Sequence, residues 1–310
     1  MSDTSNGAPV SPPDDLDVPP AMVALSGAVQ LSERKQARKE NWRLIRRRPA
    51  FIVGVIIVLI WTVCALLGDK ITPHSPLDFR ATPHLSPRAA FPFGTDISGR
   101  DVLSRVMAGA KDVLKVAPLA ALLGVFFGVI VGLLMGYIGG WLDNILSRIV
   151  EAFLALPVLL VALLAVTTLG VTTGVVTGVV AALFTPVVAR TVRSAVISER
   201  DLDYVTSAKL RGESAFFVMF REILPNVSGP IIVELTVRIG YAVFTVATLS
   251  FVGAGPQPPS PDWGVQVSDS FRSISAGIWW TTMFPAAAIA SLVIAVNLIA
   301  DSVQSVVEAS

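Results

Sequence analysis

The chain has 310 residues, of which 53% are hydrophobic and only 15% charged, and its mean hydropathy is +0.68. Soluble domains carry roughly 25% charged residues, so the composition excludes an ordinary soluble protein and points to the membrane. A formal net charge of +1 gives no basis for a nucleic-acid partner, and a single cysteine, Cys64, excludes an intrachain disulfide.

Residues 1–40 begin with a Pro-, Ser-, Gly- and Asp-rich stretch that lacks the apolar content to fold. They are expected to form a disordered cytoplasmic segment. A basic run from Arg34 through Arg46, Arg47 and Arg48 follows, with no small-residue cleavage site after it. It reads as the cytoplasmic anchor of a first span.

A helix needs about 20 apolar residues to cross ~30 Å of hydrocarbon. Such runs occupy Pro49–Gly68, Val116–Ile138, Ser147–Leu169, Thr172–Thr191, Asn226–Val252 and Gly277–Ala300. The expectation is an all-α, polytopic membrane protein with six transmembrane helices and both termini in the cytoplasm. Residues 41–112 would hold the first span and a periplasmic loop, and 113–305 the core. Basic residues run against this orientation between spans one and two, at Lys70, Arg80, Arg88, Arg100, Arg105, Lys111 and Lys115. The first helix dominates orientation, so the assignment stands on Arg46–Arg48. His74 and His84 lie in the same loop without a cysteine partner, poor material for a metal site, and none is expected.

Gly124, Gly128, Gly132 and Gly136 recur every fourth residue in the second span. They predict a smooth helix face on which another helix of the same chain packs closely.

Residues 203–226, DYVTSAKLRGESAFFVMFREILPN, form a charged amphipathic stretch between apolar runs. A short helix should end at Gly212, which can take left-handed backbone angles and form a corner. Phe216, Phe217 and Phe220 would give an apolar knob on one helix face. A new element should begin at Pro225, which suits a first helical turn but not an interior. A plain amphipathic helix lying on the bilayer would also satisfy the pattern.

Glu234 and Arg238 stand four residues apart in the fifth span, where charge is costly. Such a pair either lines a polar pathway or braces two helices. Residues 253–264, GAGPQPPSPDWG, cannot be a regular helix. Trp263 and the pair Trp279–Trp280 suit a membrane–water boundary.

The 203–226 spacing resembles the cytoplasmic loop of bacterial ABC importer permeases. Thr206, Ser207 and Ala208 stand in the Glu-Ala-Ala slots, Gly212 in the glycine slot and Leu224–Pro225 in the Leu-Pro slots; Tyr204 lies within the same segment. Phe93–Arg105, Leu249–Gly264 and Asn297–Asp301 resemble the dipeptide/oligopeptide/nickel branch, C-type partner. Thr206, Ser207 and Glu222 depart from the family letters.

The resemblance implies a type I ABC importer permease fold in the bacterial cytoplasmic (inner) membrane, with an ATPase-coupling loop at 200–225. It implies a second homologous permease, two ATP-binding subunits that carry ATP and Mg, and an extracytoplasmic substrate-binding protein. This chain would hold no cofactor and would not be an enzyme; it lacks a Gly-rich phosphate loop. The cargo would be short peptides, translocated across the lipid bilayer by alternating access. The alternatives are nickel or another small solute, or a stand-alone ion-coupled carrier.

Overall fold

The computed structural model describes residues 48–307. The expectation of disorder over 1–40 and most of the basic run lie outside the described residues, although Arg48 is inside.

The architecture is helical, with no β-strand among the described residues. Helix α1 spans Pro49–Ile71, α2 Val102–Ile138, α3 Gly140–Leu154, α4 Val158–Leu169 and α5 Thr173–Arg200. Then come α6 (Asp203–Leu210), the short helices α7 (Ala215–Phe217) and α8 (Leu224–Asn226), α9 (Ser228–Phe251), α10 (Trp263–Ser270) and α11 (Trp280–Val307). Helices α1, α2, α5, α9 and α11 are each long and apolar enough to cross a membrane, and the bent pair α3–α4 makes a sixth if it counts as one span.

Helix α5 runs on to Arg200, nine residues past the expected end at Thr191, and α11 is Trp280–Val307 rather than Gly277–Ala300; two further differences are larger. Helix α2 starts at Val102 rather than Val116. Asp101 caps it, accepting from the backbone N–H groups of Leu103 and Ser104 (both 3.3 Å), the role that favours Asp ahead of a helix. At 1.5 Å per residue its 37 residues reach about 55 Å, well beyond the hydrocarbon thickness. Arg105, Lys111 and Lys115 therefore lie on a helix, not in a loop. The expected third span, Ser147–Leu169, is instead two helices meeting at 88°. The break falls at Ala155–Pro157, because Pro157 has no N–H to continue α3.

The glycine face of α2 receives α5. A Cβ placed on Gly124 would stand 2.9 Å from Phe184 Cβ, and one on Gly128 only 2.6 Å from Val188 Cβ. At Gly132 and Gly136 the corresponding approaches, to Val192 and Val196, are 2.7 Å. Two four-residue ladders thus interlock, and the glycines are what allow the backbones so close.

At the end carrying residues 72–101, buried Arg105 holds three segments together. Its guanidinium donates to the carbonyls of Pro76 (3.3 Å), Pro259 (3.3 Å) and Ser260 (3.0 Å), and lies 3.5 Å from the Asp96 carboxylate. Trp263 does not sit at a membrane boundary. It is fully buried, donates its indole N–H to the Val106 carbonyl (2.7 Å) and meets Trp61 edge-on at 4.7 Å. With its donor satisfied inside the protein by Val106, the ring needs no membrane–water boundary. Trp280 is also buried, whereas Trp279 is half exposed.

Candidate functional site

The segment after α5 folds as a helix, a corner and a second helical stretch. Helix α6 ends in a Schellman motif: the Gly212 N–H donates to the Lys209 carbonyl (3.0 Å) and the Glu213 N–H to that of Ala208 (3.2 Å). Gly212 takes φ +77°, with nothing within 4 Å of where a Cβ would be. The glycine is therefore required by backbone conformation and not by crowding.

Beyond the corner, Ser214 caps α7, accepting from the Phe217 N–H at 3.2 Å. The chain then widens into a π-helical stretch, Val218–Ile223, before α8. A short helix, α8, begins at Leu224 and holds Pro225 in its first turn, as the sequence predicts. It lies inside an almost continuous helical path from Ala215 to Phe251, interrupted only near Val227. The wide turn explains how: the Leu224 N–H bonds five residues back, to Met219, so the register already departs from the α-helical one that proline would break. Asn226 supplements it, its side-chain amide donating to the Glu222 carbonyl at 2.7 Å.

The segment has two faces. Val205, Ala208, Val218, Met219, Ile223 and Val227 are buried in a cluster with Leu133, Val188, Val192 and Val196, fixing it beneath the ends of α2 and α5. Thr206 and Ser207 face outward, and Ala208 inward. Of the expected knob, Phe216 is exposed and packs against Phe220 with ring centroids 4.5 Å apart and planes tilted by 33°, while Phe217 and Phe220 are half buried. Leu224 is also half buried and Pro225 exposed.

Leu210, 84% exposed beside the corner, belongs to the same outward surface and was missed from sequence. The signal was its helical phase: it lies about half a turn from Ala208, on the side opposite the buried face.

Polar contacts lock the segment to its surroundings. The Tyr204 hydroxyl donates to Glu199 at 2.6 Å, and burial, reinforced by that carboxylate, pushes the phenol up to about 12. Arg211 reaches Glu222 across the corner at 3.4 Å, which gives the family-atypical Glu222 a local partner. Such exposed pairs contribute little, about 0–1 kcal/mol.

About two to three turns into α9 lies the buried charge pair. Arg238 Nε donates to Glu234 Oε2 at 2.8 Å, and Thr191 of α5 donates to the other carboxylate oxygen at 2.8 Å. Both side chains are 14% exposed. The guanidinium also lies over the rings of Tyr241 (5.2 Å) and Phe184 (5.8 Å). Thr191 was not foreseen; no sequence spacing relates it to Glu234. On the far side of α5, Arg193 makes a two-pronged contact to Asp143 of α3, at 2.6 and 2.7 Å.

The sequence profile described as "Binding-protein-dependent transport system inner membrane component" matches residues 128–310, and that of the "N-terminal TM domain of oligopeptide transport permease C" matches 37–87. The chain is 37% identical over 277 residues to the dipeptide transport system permease protein DppC of Escherichia coli K12, covering 87% of this chain and 92% of that one. It is 35% identical over 271 residues to DppC of Bacillus subtilis strain 168, covering 87% and 85%. To the di/tripeptide transport system permease protein DppC of Pseudomonas aeruginosa it is 33% identical over 277 residues, covering 87% and 91%.

Proposed function

This chain belongs to the binding-protein-dependent transport system inner-membrane components, multi-pass permeases of ABC importers, and from that premise we propose that it is the C-type permease of a peptide importer. The relatives' peptide cargo supports short peptides as substrate. The chain would pair with a second, similar permease and receive cargo from an extracytoplasmic binding protein. Its energy would come from two separate ATP-binding subunits, which would carry the ATP and Mg, leaving this chain without enzymatic activity or cofactor.

The observation that carries the coupling assignment is the two-faced build of 203–226. Its inner face is fixed under α2 and α5, and its outer face offers Leu210 and Phe216 on either side of the Gly212 corner. A partner that presses on the exposed face would push against a rigid body. The helical path from Ala215 into α9, broken only at Val227, would then carry the displacement into the membrane. Glu234, held by both Arg238 and Thr191, ties α9 to α5, so the two helices that flank the contact would move together. In this reading the pair positions the pathway wall by bracing it. With 203–226 in the cytoplasm, both termini are cytoplasmic and the 72–101 loop faces outward.

The assignment is tested by purifying the tagged chain and measuring ATPase co-purification and ATP-driven dipeptide uptake. Gly212→Val places a β-branched residue at positive φ and should cost about 1–2 kcal/mol of corner strain or more. It should insert normally but uncouple uptake, whereas Gly212→Asn, which tolerates that conformation, should retain most of it. Normal uptake by the valine variant, or purification of an active carrier without any ATPase, would refute the reading.

A further inference from the structure

On the side of the bundle away from Glu234, an apolar cleft of about 560 Å³ lies between α1, α2, α9 and α11. Its walls are almost wholly hydrocarbon: Val58, Ala65 and Leu66 of α1, Ile239 and Val243 of α9, and Ile299 of α11 are representative. Its mouth is not. Lys111 and Lys115 of α2 line the same cleft with Leu114 and Pro118. Positions 111, 114, 115 and 118 form one helical stripe, so both ammonium groups belong to the face that floors the cleft. Both lysines are exposed, and neither has a carboxylate partner among the described residues.

The neighbouring contacts orient the cleft. Gly68 of α1 lies beside Ala108 of α2, which sets Leu66 and Lys111 near the end that carries the 72–101 loop. Gly54 of α1 lies against Ile299 of α11, which sets that residue toward the opposite end. From the level of Gly54 to Leu66 is twelve residues of helix, roughly 18 Å. That slightly exceeds half of a ~30 Å hydrocarbon core. Below Lys115, α2 is apolar from Val116 to Ile138, so the two lysines stand where hydrocarbon gives way to headgroups.

Two unpaired cations at headgroup depth, above a leaflet-long apolar trough, have the chemistry of a phospholipid with a net negative headgroup. Lysine stems can lie along the trough while their ammonium groups reach the phosphate level. We propose that this cleft binds one anionic diacyl phospholipid, its phosphate between Lys111 and Lys115 and an acyl chain against α1 and α9. A helix of a partner protein would fill the trough equally well but would leave both lysines without a counter-charge unless it brought its own acids; the charge at the mouth favours the lipid. The inference does not depend on which cargo is transported.

The test is native mass spectrometry of the full-length chain with its co-purifying subunits, released from nanodiscs of mixed phosphatidylglycerol and phosphatidylethanolamine. The wild type should retain phosphatidylglycerol in preference to phosphatidylethanolamine. Losing both surface charges, Lys111→Gln with Lys115→Gln should reduce retained phosphatidylglycerol roughly thirtyfold. The Lys111→Arg, Lys115→Arg variant should keep it. Ala65→Trp, which fills the trough and leaves the charges, should reduce retention of the same lipid. Unchanged phosphatidylglycerol retention in the glutamine variant would overturn the proposal. So would loss of a co-purifying permease with lipid retention unaltered, because the trough would then be a protein interface.

Discussion

Arg238 and Glu234 close on each other at 2.8 Å within α9, and the second oxygen of the same carboxylate is taken by Thr191 of α5. A charge paired on both sides is stable in the bilayer only as a unit. Glu234→Gln alone strands a guanidinium and should cost several kcal/mol, seen as low complex yield. The double variant with Arg238→Gln should restore yield and retain transport. A double variant that assembles well but changes cargo preference would make the pair part of the pathway lining rather than a brace.

The α2–α5 ladder leaves no room for a side chain. Gly128→Leu must displace Val188 or separate the helices, and overpacking of this kind costs about 1–3 kcal/mol or more. Gly178→Leu, at a position on α5 where a Cβ meets nothing within 4 Å, is the matched control. Thermal unfolding in detergent should show a clear drop for the first and little change for the second. Equal behaviour would contradict a close contact between the glycine face of α2 and α5.

Asp262 caps α10 through the Val265 N–H at 3.0 Å yet is buried, and burial pushes its carboxyl from 3.8 up to about 6. The folded state therefore favours the protonated form. This group's contribution is full below its ordinary value and is lost as pH rises through about 6. Asp262→Asn keeps a capping side chain and removes the desolvated charge. The variant should gain stability relative to wild type above pH about 6, and the advantage should shrink as pH falls toward 4. A difference that is flat with pH would contradict the assignment.

The basic run before α1 predicts the orientation. Thr206 and Gln257 are both exposed, at opposite ends of the bundle. Single cysteines at these positions, with Cys64 replaced, should react differently with an impermeant thiol reagent on intact cells. Labelling of 257 and protection of 206 is the expected pattern, and the reverse would invert the topology.

Much of this architecture is legible in the sequence because lipid demands it. Apolar run length marked each long helix, and a four-residue glycine period marked the face that meets α5. The errors have physical sources. Lysines and arginines at 105–115 look like loop residues when only apolar length is counted, but Arg105 is buried by carbonyls from segments nearly thirty and more than one hundred and fifty residues away. Pro157 splits a run whose hydropathy is unbroken. The π-helical stretch ahead of Pro225 has no sequence signal, although the short helix that opens around that proline does. In the candidate site, Gly212 was readable from its own conformational freedom. Thr191 and Leu210 were not, since one depends on a tertiary contact and the other on which face of α6 is buried.

If Leu210 and Phe216 form the surface through which a separate ATPase acts, the readout is ATP-driven dipeptide uptake in proteoliposomes containing the purified complex, with and without Leu210→Asp and Phe216→Asp. Both side chains are exposed, so neither change disturbs the packed core. Replacing a central apolar contact typically costs 2 kcal/mol or more at an interface, so uptake should fall roughly tenfold or more while membrane insertion stays at the wild-type level. Full uptake with ATPase retained in the double variant would contradict the account.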